Sequence, residues 1–264
     1  NVLDPMSLAL GRFFLPAILC LIIIVFSKII IDKNDILRLV LAGFIGIFAY
    51  TFLLNTGLQT ITAGAGSFIV NCNPLFTSLI GFYILKQKVK IYFWFGIIGC
   101  VFGVFIISLE TYQVFSFNSG VTYIITAALF TSSYFHIIKP LVNKYGVLTT
   151  FCFTLLFGTI PMLFWFNDIY QFTMSASSGM LFAMLWLSII CTLLGYYTWT
   201  YSVGFFGANK ASFFLFLIPV FSVIIDFIIF YKLPNIFTLI GGLIILTSVL
   251  IIIVLNQREN VKKV

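Results

Sequence analysis

ASFFLFLIPVFSVIIDFIIFYK, residues 211–232, has no polar face. A helix on the surface of a soluble domain keeps a polar stripe opposite its buried one. Here one proline, Pro219, and one acid, Asp226, interrupt an otherwise apolar or small run. A bilayer explains the length, because about 20 apolar residues span the hydrocarbon core. It does not explain the acid. Even the lenient insertion scales put an Asp at the middle of a spanning helix about 2.5–3.5 kcal/mol uphill. Asp226 therefore calls for a partner or a task.

The rest of the chain speaks for the same solvent. Hydrophobic residues make up 62% and charged residues 8%, where soluble domains carry about 25% charge. The chain reads as an all-α polytopic membrane protein whose partner is the lipid bilayer. Its net charge of +7 sits in short clusters between apolar runs, not in a patch, so no nucleic acid is expected as a partner. Cys20, Cys72, Cys100, Cys152 and Cys191 lie far apart inside apolar runs. Neither metal-ligand spacing nor a disulfide framework is present in that pattern. They read as buried free thiols, and no cofactor or metal is expected.

Breaks at charges, Gly, Asn and Pro divide the chain into apolar spans near 6–28, 36–58, 63–85, 91–109, 120–142, 147–166, 179–204, 211–231 and 235–255. In lipid each span must satisfy its own backbone, so nine transmembrane helices are expected. The alternation of an outer-membrane barrel is absent. Sliding the chain along itself by 145 residues puts Pro74 on Pro219, Pro16 on Pro161, Ser67 on Ser212, Ala63 on Ala208 and Gly96 on Gly241. This register predicts an internal duplication of the kind found in secondary transporters. The two units would be 1–115 and 116–264. The helix at 120–142 then calls for a counterpart ahead of Asn1, so two inverted five-helix repeats with the first helix missing are expected.

Orientation comes from the basic residues. With Asn1 outside, Lys28, Lys33, Arg38, Lys86, Lys88, Lys90, Lys139, Lys144, Lys210, Arg258, Lys262 and Lys263 all fall inside. Only Arg12 and Lys232 stay out, and the Lys/Arg count over short loops sets topology. The C-terminus is expected in the cytoplasm, in a bacterial inner membrane.

The opening LDPMSLALGRFF resembles the second helix of the EamA family of drug/metabolite transporters. GSFIVNCNPLFTSLIG and ASFFLFLIPVFSVI resemble that family's Pro-centred fourth and ninth helices. WFGIIGCVFGVFII and FTLIGGLIILTSVLIII resemble its fifth and tenth. One departure is plain: relatives often carry a Glu just after the Pro-containing helix of each repeat, and this chain has Gln87 and Lys232 there. The resemblance implies ten helices around a central cavity. Its walls would here be the segments 36–58, 63–85, 120–142, 179–204 and 211–231.

Polar residues inside such spans face the bundle, not lipid. Thr51, Asn55 and Gln59 share a face, with Tyr50 beside them. Ser67, Asn71 and Ser78 share one with Pro74, flanked by Asn73 and Thr77. Thr122, Thr126, Ser133 and His136 form a stripe, as do Thr192, Tyr196 and Trp199. Tyr50, Asn55, Asn71, Asn73, Tyr196 and Trp199 are the candidate substrate-binding residues. The competing reading is interhelical glue, worth roughly 0.6–2 kcal/mol per contact. Pro74 and Pro219 are expected to bend their helices and free a carbonyl. Gly99-x-x-x-Gly103 reads as close helix packing. His136 is a candidate for proton coupling against a plain hydrogen-bonded His. Asp226 lies roughly 8 Å from the outer end of its span at 1.5 Å per residue, at a depth similar to Arg12. The two are expected to pair or share a substrate, with Lys232 as the other partner open to Asp226.

These readings point to a secondary transporter moving a small-molecule substrate, an amino acid or similar solute, by alternating access. No nucleotide-binding loop or catalytic grouping stands in the sequence, and the chain is not expected to be an enzyme. A membrane-embedded enzyme and a non-transporting scaffold are the alternatives.

Overall fold

Long apolar runs with few helix breakers become helices, since an α-helix is the way one segment can bond all its own backbone groups in lipid. The computed structural model describes residues 4–27, 29–60, 66, 69–87, 90–108, 119–231 and 236–261. Side chains are described for these except 107–108, 219, 222–223, 226–227, 230 and 252–261. Among the described residues the regular structure is entirely helical. In chain order the helices are α1 (Pro5–Ser27), α2 (Lys33–Leu58), α3 (73–84), α4 (Ile91–Ser108), α5 (Ser119–Tyr145), α6 (Val147–Ser175), α7 (Ser178–Phe206), α8 (208–230) and α9 (Ile236–Val261). Of these, α1, α2, α5, α6 and α7 are long and apolar enough to cross a membrane, and shorter apolar helices accompany them. Large apolar side chains point outward, Phe95 at 70% exposure and Phe164 at 85%. Water does not tolerate so broad an apolar surface, and the chain is an integral membrane protein.

Most of the helices are not straight. A π turn interrupts α2 at Phe44–Ala49, ends α3 at Ile80–Ile84 and interrupts α7 at Leu187–Leu194. A tighter 3-10 turn interrupts α6 at Ile160–Trp165 and α8 at Phe214–Leu217. Pro161 stands in the first turn of the tight stretch of α6. Pro219 stands in the first turn of α-helix beyond the tight stretch of α8, and Pro74 opens α3 in the same way. Such placements suit proline, whose missing N–H is an orphan there anyway.

The element boundaries keep the 145-residue register. Lys33, Asn73 and Ile91 begin α2, α3 and α4; Ser178, Ile218 and Ile236, each 145 residues on, begin the corresponding stretches. The π turn of α2 falls over that of α7. Lys86 and Tyr231, also 145 apart, both end their helices at φ 51°. That left-handed geometry closes many helices and normally belongs to Gly.

Two contacts organise the packing. α4 lies along α9, with Phe93, Ile97, Cys100 and Val104 against Ile245 and Val249. A Cβ at Gly103 would come within 2.7 Å of the Gly241 carbonyl, so the GxxxG reading as a packing seam is correct. α1 lies along α6, with Leu10, Phe13 and Cys20 against Cys152, Leu155 and Met162. α2 packs on α6, and α1 packs on the π turn of α7. α5 fills the space beside α2 and α3.

Several boundaries differ from the sequence reading. α6 runs on to Ser175, so Asp168 sits in a helix, where its carboxylate accepts a hydrogen bond from Ser7 Oγ at 3.3 Å. α5 continues past Pro140 to Tyr145. The expected counterpart of α5 would precede Asn1 and lies outside the described residues.

Candidate functional site

The backbone breaks where α3 begins. Cys72 leaves the helical region at φ −80°, ψ 0°, and Pro74 supplies no N–H. Asn71 and Asn73 flank that break. In α8 the 3-10 turn ends at Leu217, φ −78° and ψ −16°, just before Ile218 and Pro219. Both breaks border one cavity of about 380 Å³. From the first part of the chain come Gly46 and Tyr50 on α2, with Val70, Asn71 and Asn73 at the break. From the second come Thr131, Tyr134 and Phe135 on α5, Cys191, Gly195, Tyr196 and Trp199 on α7, and Leu215 and Ile218 on α8.

The walls are aromatic. Phe135 and Trp199 have ring centroids 4.9 Å apart, and Tyr196 meets Phe13 edge-on at 5.4 Å. Gly46 is required here: a Cβ on it would overlap the Tyr134 ring. Among the described residues, three polar atoms in the lining are buried without a hydrogen-bond partner: Asn73 Oδ1, Thr131 Oγ1 and Trp199 Nε1. Asn73 is 3% exposed, and its side chain forms no hydrogen bond among the described residues. Its main chain is pinned instead. The Asn73 carbonyl accepts from Thr77 Oγ1 at 2.9 Å and Ser132 Oγ at 3.2 Å, and those two hydroxyls lie 3.1 Å apart. His136 Nε2 lies 2.9 Å from the Thr77 carbonyl, so that nitrogen carries a proton and donates it. These bonds tie α5 to α3 and hold the Asn73 amide toward the cavity.

The structure thus gathers Tyr50, Asn71, Asn73, Tyr196 and Trp199 around one space. It does not bring Asn55 there. Asn55 Nδ2 donates to the Pro5 carbonyl at 3.1 Å and joins α2 to α1. The polar stripe read on α5 also turns elsewhere. Thr126 and Ser133 bond the carbonyls of Thr122 and Leu129, four residues back, and the cavity face of α5 is Thr131, Tyr134 and Phe135. On α7, Thr192 is buried against its own helix, bonding the Leu187 carbonyl five residues back. A π turn reaches back five residues for its hydrogen bonds where an α-helix reaches back four, and it shifts every later residue away from straight-helix spacing. Much of what read as either glue or cavity lining among Ser and Thr is this back-bonding to the same helix.

Arg12 sits over the Phe13 ring, 5.8 Å from its centroid, with Nε buried and without a hydrogen-bond partner among the described residues. It lies within electrostatic reach of the Tyr50 and Tyr196 hydroxyls without lining the cavity. Among the described residues it forms no ion pair. The side chain of Asp226 lies outside the described residues, as does Lys232 entirely, and so does any pairing of either.

A polar knot that the sequence reading treated only as topological charge joins α2 to α5 at the Lys-rich end. Asp35, 5% exposed, accepts from Lys144 Nζ at 2.6 Å, Tyr145 Oη at 2.7 Å and Arg38 at 3.2 Å. Lys144 also contacts Asp32. The hydrogen bond and charge of Lys144, with a smaller part from Tyr145, hold the exposed Asp32 carboxyl below its usual value. At the same end Asn209 Nδ2 donates to Gln87 Oε1 at 3.0 Å, joining α8 to the exit of α3. The signal available beforehand was an Asp pair opening one helix and a Lys-Tyr pair closing another.

Residues 1–109 and 118–254 match the model of the EamA-like transporter family. The chain is 29% identical to the uncharacterized transporter YdfC of Bacillus subtilis, over 91% of this chain and 79% of that one. It is 23% identical to a probable terminal-alkyne amino-acid exporter of Streptantibioticus cattleyicolor, over 85% of this chain and 74% of the other. A solved crystal structure superposes with a TM-score of 0.75 at 14% identity, covering 97% of this chain and 88% of its own. That likeness shows the fold. With its helical, lipid-facing architecture and its match to the family over nearly its whole length, the chain belongs to the EamA-like transporter family, and it is a membrane transporter.

Proposed function

We propose that the chain is a secondary transporter that carries a small metabolite through the cavity between α3 and α8 by alternating access. The observation that carries the reading is the cavity itself. It is of ligand size, both interrupted helices border it, and each half of the chain supplies part of its wall. Broken helices meeting at a central site are how secondary transporters place polar backbone at membrane depth. In this reading the units 1–115 and 116–264 are inverted repeats that rock against each other, and all nine helices cross the bilayer. The 145-residue register of helix starts, π turns and left-handed ends supports that division. The C-terminus and the Lys-rich end face the cytoplasm of a bacterial cell, by the Lys/Arg count. The Asp35–Lys144 knot and the Gln87–Asn209 bond both join the first half to the second there, and they close that side.

Tyr50, Asn71, Asn73, Tyr196 and Trp199 contact the solute in this proposal. Arg12 and Asp226 form a charge pair or act on the same solute, and His136 couples protons. Exchanging the charges as Arg12→Asp with Asp226→Arg restores transport if the pair is structural. Reconstitution into proteoliposomes tests the main claim. Flux of a metabolite that stops in Tyr196→Ala supports it. Chemical turnover without flux points to an enzyme, and neither activity points to a scaffold.

A further inference from the structure

The cavity has a chemical bias that narrows its solute. Among the described residues that line it, none is Asp, Glu, Lys, Arg or His. Where Arg12 and Asp226 pair with each other and do not act on the solute, a free amino acid would bring an ammonium and a carboxylate against a described lining without a counter-charge, and ionised groups are strongly disfavoured there. The unbonded atoms instead ask for a neutral partner. Asn73 presents a primary amide, which both donates and accepts, and it is 97% buried with no protein partner among the described residues. Trp199 presents a donor that cannot accept, and Thr131 a hydroxyl that does both. Buried polar atoms in native proteins are nearly always paired, so three orphans on one cavity mark where a ligand's polar edge fits. The flat rings of Phe135 and Trp199 supply a stacking wall beside them.

We propose that the cavity takes an uncharged, flat heterocycle bearing an N–H donor next to a carbonyl acceptor, the lactam edge of pyrimidinone and purinone rings. The edge bonds the Asn73 amide, and a second acceptor on the ring takes the Trp199 N–H. This assignment rests on the reading of the cavity as a solute site and names the class of solute.

The test is binding to the purified full chain in lipid nanodiscs, followed by calorimetry. The probes are uracil and hypoxanthine, with 1,3-dimethyluracil, benzoate and L-phenylalanine as contrasts. Uracil and hypoxanthine are expected to bind. Dimethyluracil, with its donors blocked, binds at least about tenfold more weakly, as does uracil to Asn73→Leu or Trp199→Phe, the loss of one good hydrogen bond. Thr247→Ala, on the outer face of α9, leaves binding unchanged. The assignment is overturned if benzoate or L-phenylalanine binds more tightly than the lactams, above all if Arg12→Gln abolishes that binding. It is also overturned if blocking the donors has no effect, or if neither lactam binds at millimolar concentration. Lactam binding without flux of any solute would remove the transport reading and leave the ligand class standing; flux of a charged solute would do the reverse.

Discussion

Replacing Asn73 by Leu should raise the stability of the ligand-free protein while removing its capacity to bind. The two side chains are close in size, and the substitution leaves the main-chain carbonyl that Thr77 and Ser132 bond. What disappears is an amide that is 3% exposed and has no hydrogen bond among the described residues. A buried polar group left unsatisfied costs about 1–3 kcal/mol. The amide borders a cavity and is not packed on every side, so the lower end, about 1 kcal/mol, is the expected gain. For a chain of this size that corresponds to a rise in melting temperature of about 2–4 °C. The assay is thermal unfolding followed by intrinsic fluorescence in one detergent without added solute, with wild type and variant run side by side. Solute binding to the same variant should fall at least about tenfold, since one good hydrogen bond is worth that much. A melting temperature several degrees below wild type would refute the reasoning, because it would mean that the amide is bonded within the folded protein.

The remaining predictions concern packing, the backbone and the polar knot. Gly103→Val forces its side chain into the Gly241 carbonyl and Ile245, both 2.7 Å from a Cβ there; overpacking of this kind costs about 1–3 kcal/mol, read as lower melting temperature and aggregation on gel filtration. Tyr231→Gly relieves a non-Gly residue at φ 51°; the left-handed penalty of about 1–2 kcal/mol outweighs the added unfolded-state freedom of about 0.4–1 kcal/mol, so the variant melts higher. Lys144→Ala strips Asp35 of its 2.6 Å partner and destabilises the protein at neutral pH. Its pH dependence has a definite sign: the folded Asp32 carboxyl titrates below its ordinary 3.8 because of Lys144, so that contribution is fully present above pH 4 and is lost as pH falls through the depressed value. The stability difference between wild type and Lys144→Ala should therefore persist from neutral pH to about pH 4 and shrink below it, as measured by denaturation at a series of pH values.

How much was legible depends on which interactions leave a local trace. The membrane class, the helix runs and the Pro-marked breaks are properties of a window of sequence, and Pro74 sits at a broken turn as its missing N–H requires. The residues flanking that break, Asn71 and Asn73, were visible as site candidates for the same reason, and the cavity includes both. Tyr196 and Trp199 were also legible, since both lie past the π turn of α7 in one regular helical stretch and keep their spacing relative to each other. Thr192 lies inside that turn, where 3.6-residue spacing no longer gives the face, and it turned inward. Asn55 parts from Tyr50 for another reason: both lie in the regular helical stretch Tyr50–Leu58, where a five-residue step falls on a different face, and Asn55 reaches back to Pro5, a contact set by how α1 crosses α2. Thr131, Tyr134 and Phe135 left no trace, because which stripe of α5 meets the cavity depends on α3 and α7 closing around it.

That dependence also explains why the polar knot at Asp35 escaped a residue-by-residue reading while the charge count did not. Topology needs only the number of Lys and Arg on each side, which the chain displays openly. The knot needs Asp35 and Lys144 brought together from positions 109 residues apart, and that juxtaposition exists only after α5 has packed on α2. Its burial argues for a role beyond topology. An exposed Lys serves the count equally well, whereas a carboxylate at 5% exposure is tolerated only with partners in place. If the two halves rock apart at this end, Asp35 and Lys144 must exchange each other for water, so the knot's strength weighs directly on how often that side opens. A variant that weakens it without unfolding the chain, Tyr145→Phe with its loss of one 2.7 Å bond, should speed the opening step. Cysteine pairs placed across the Lys-rich end should then label faster, and unchanged labelling would mean that this end is not where the halves part.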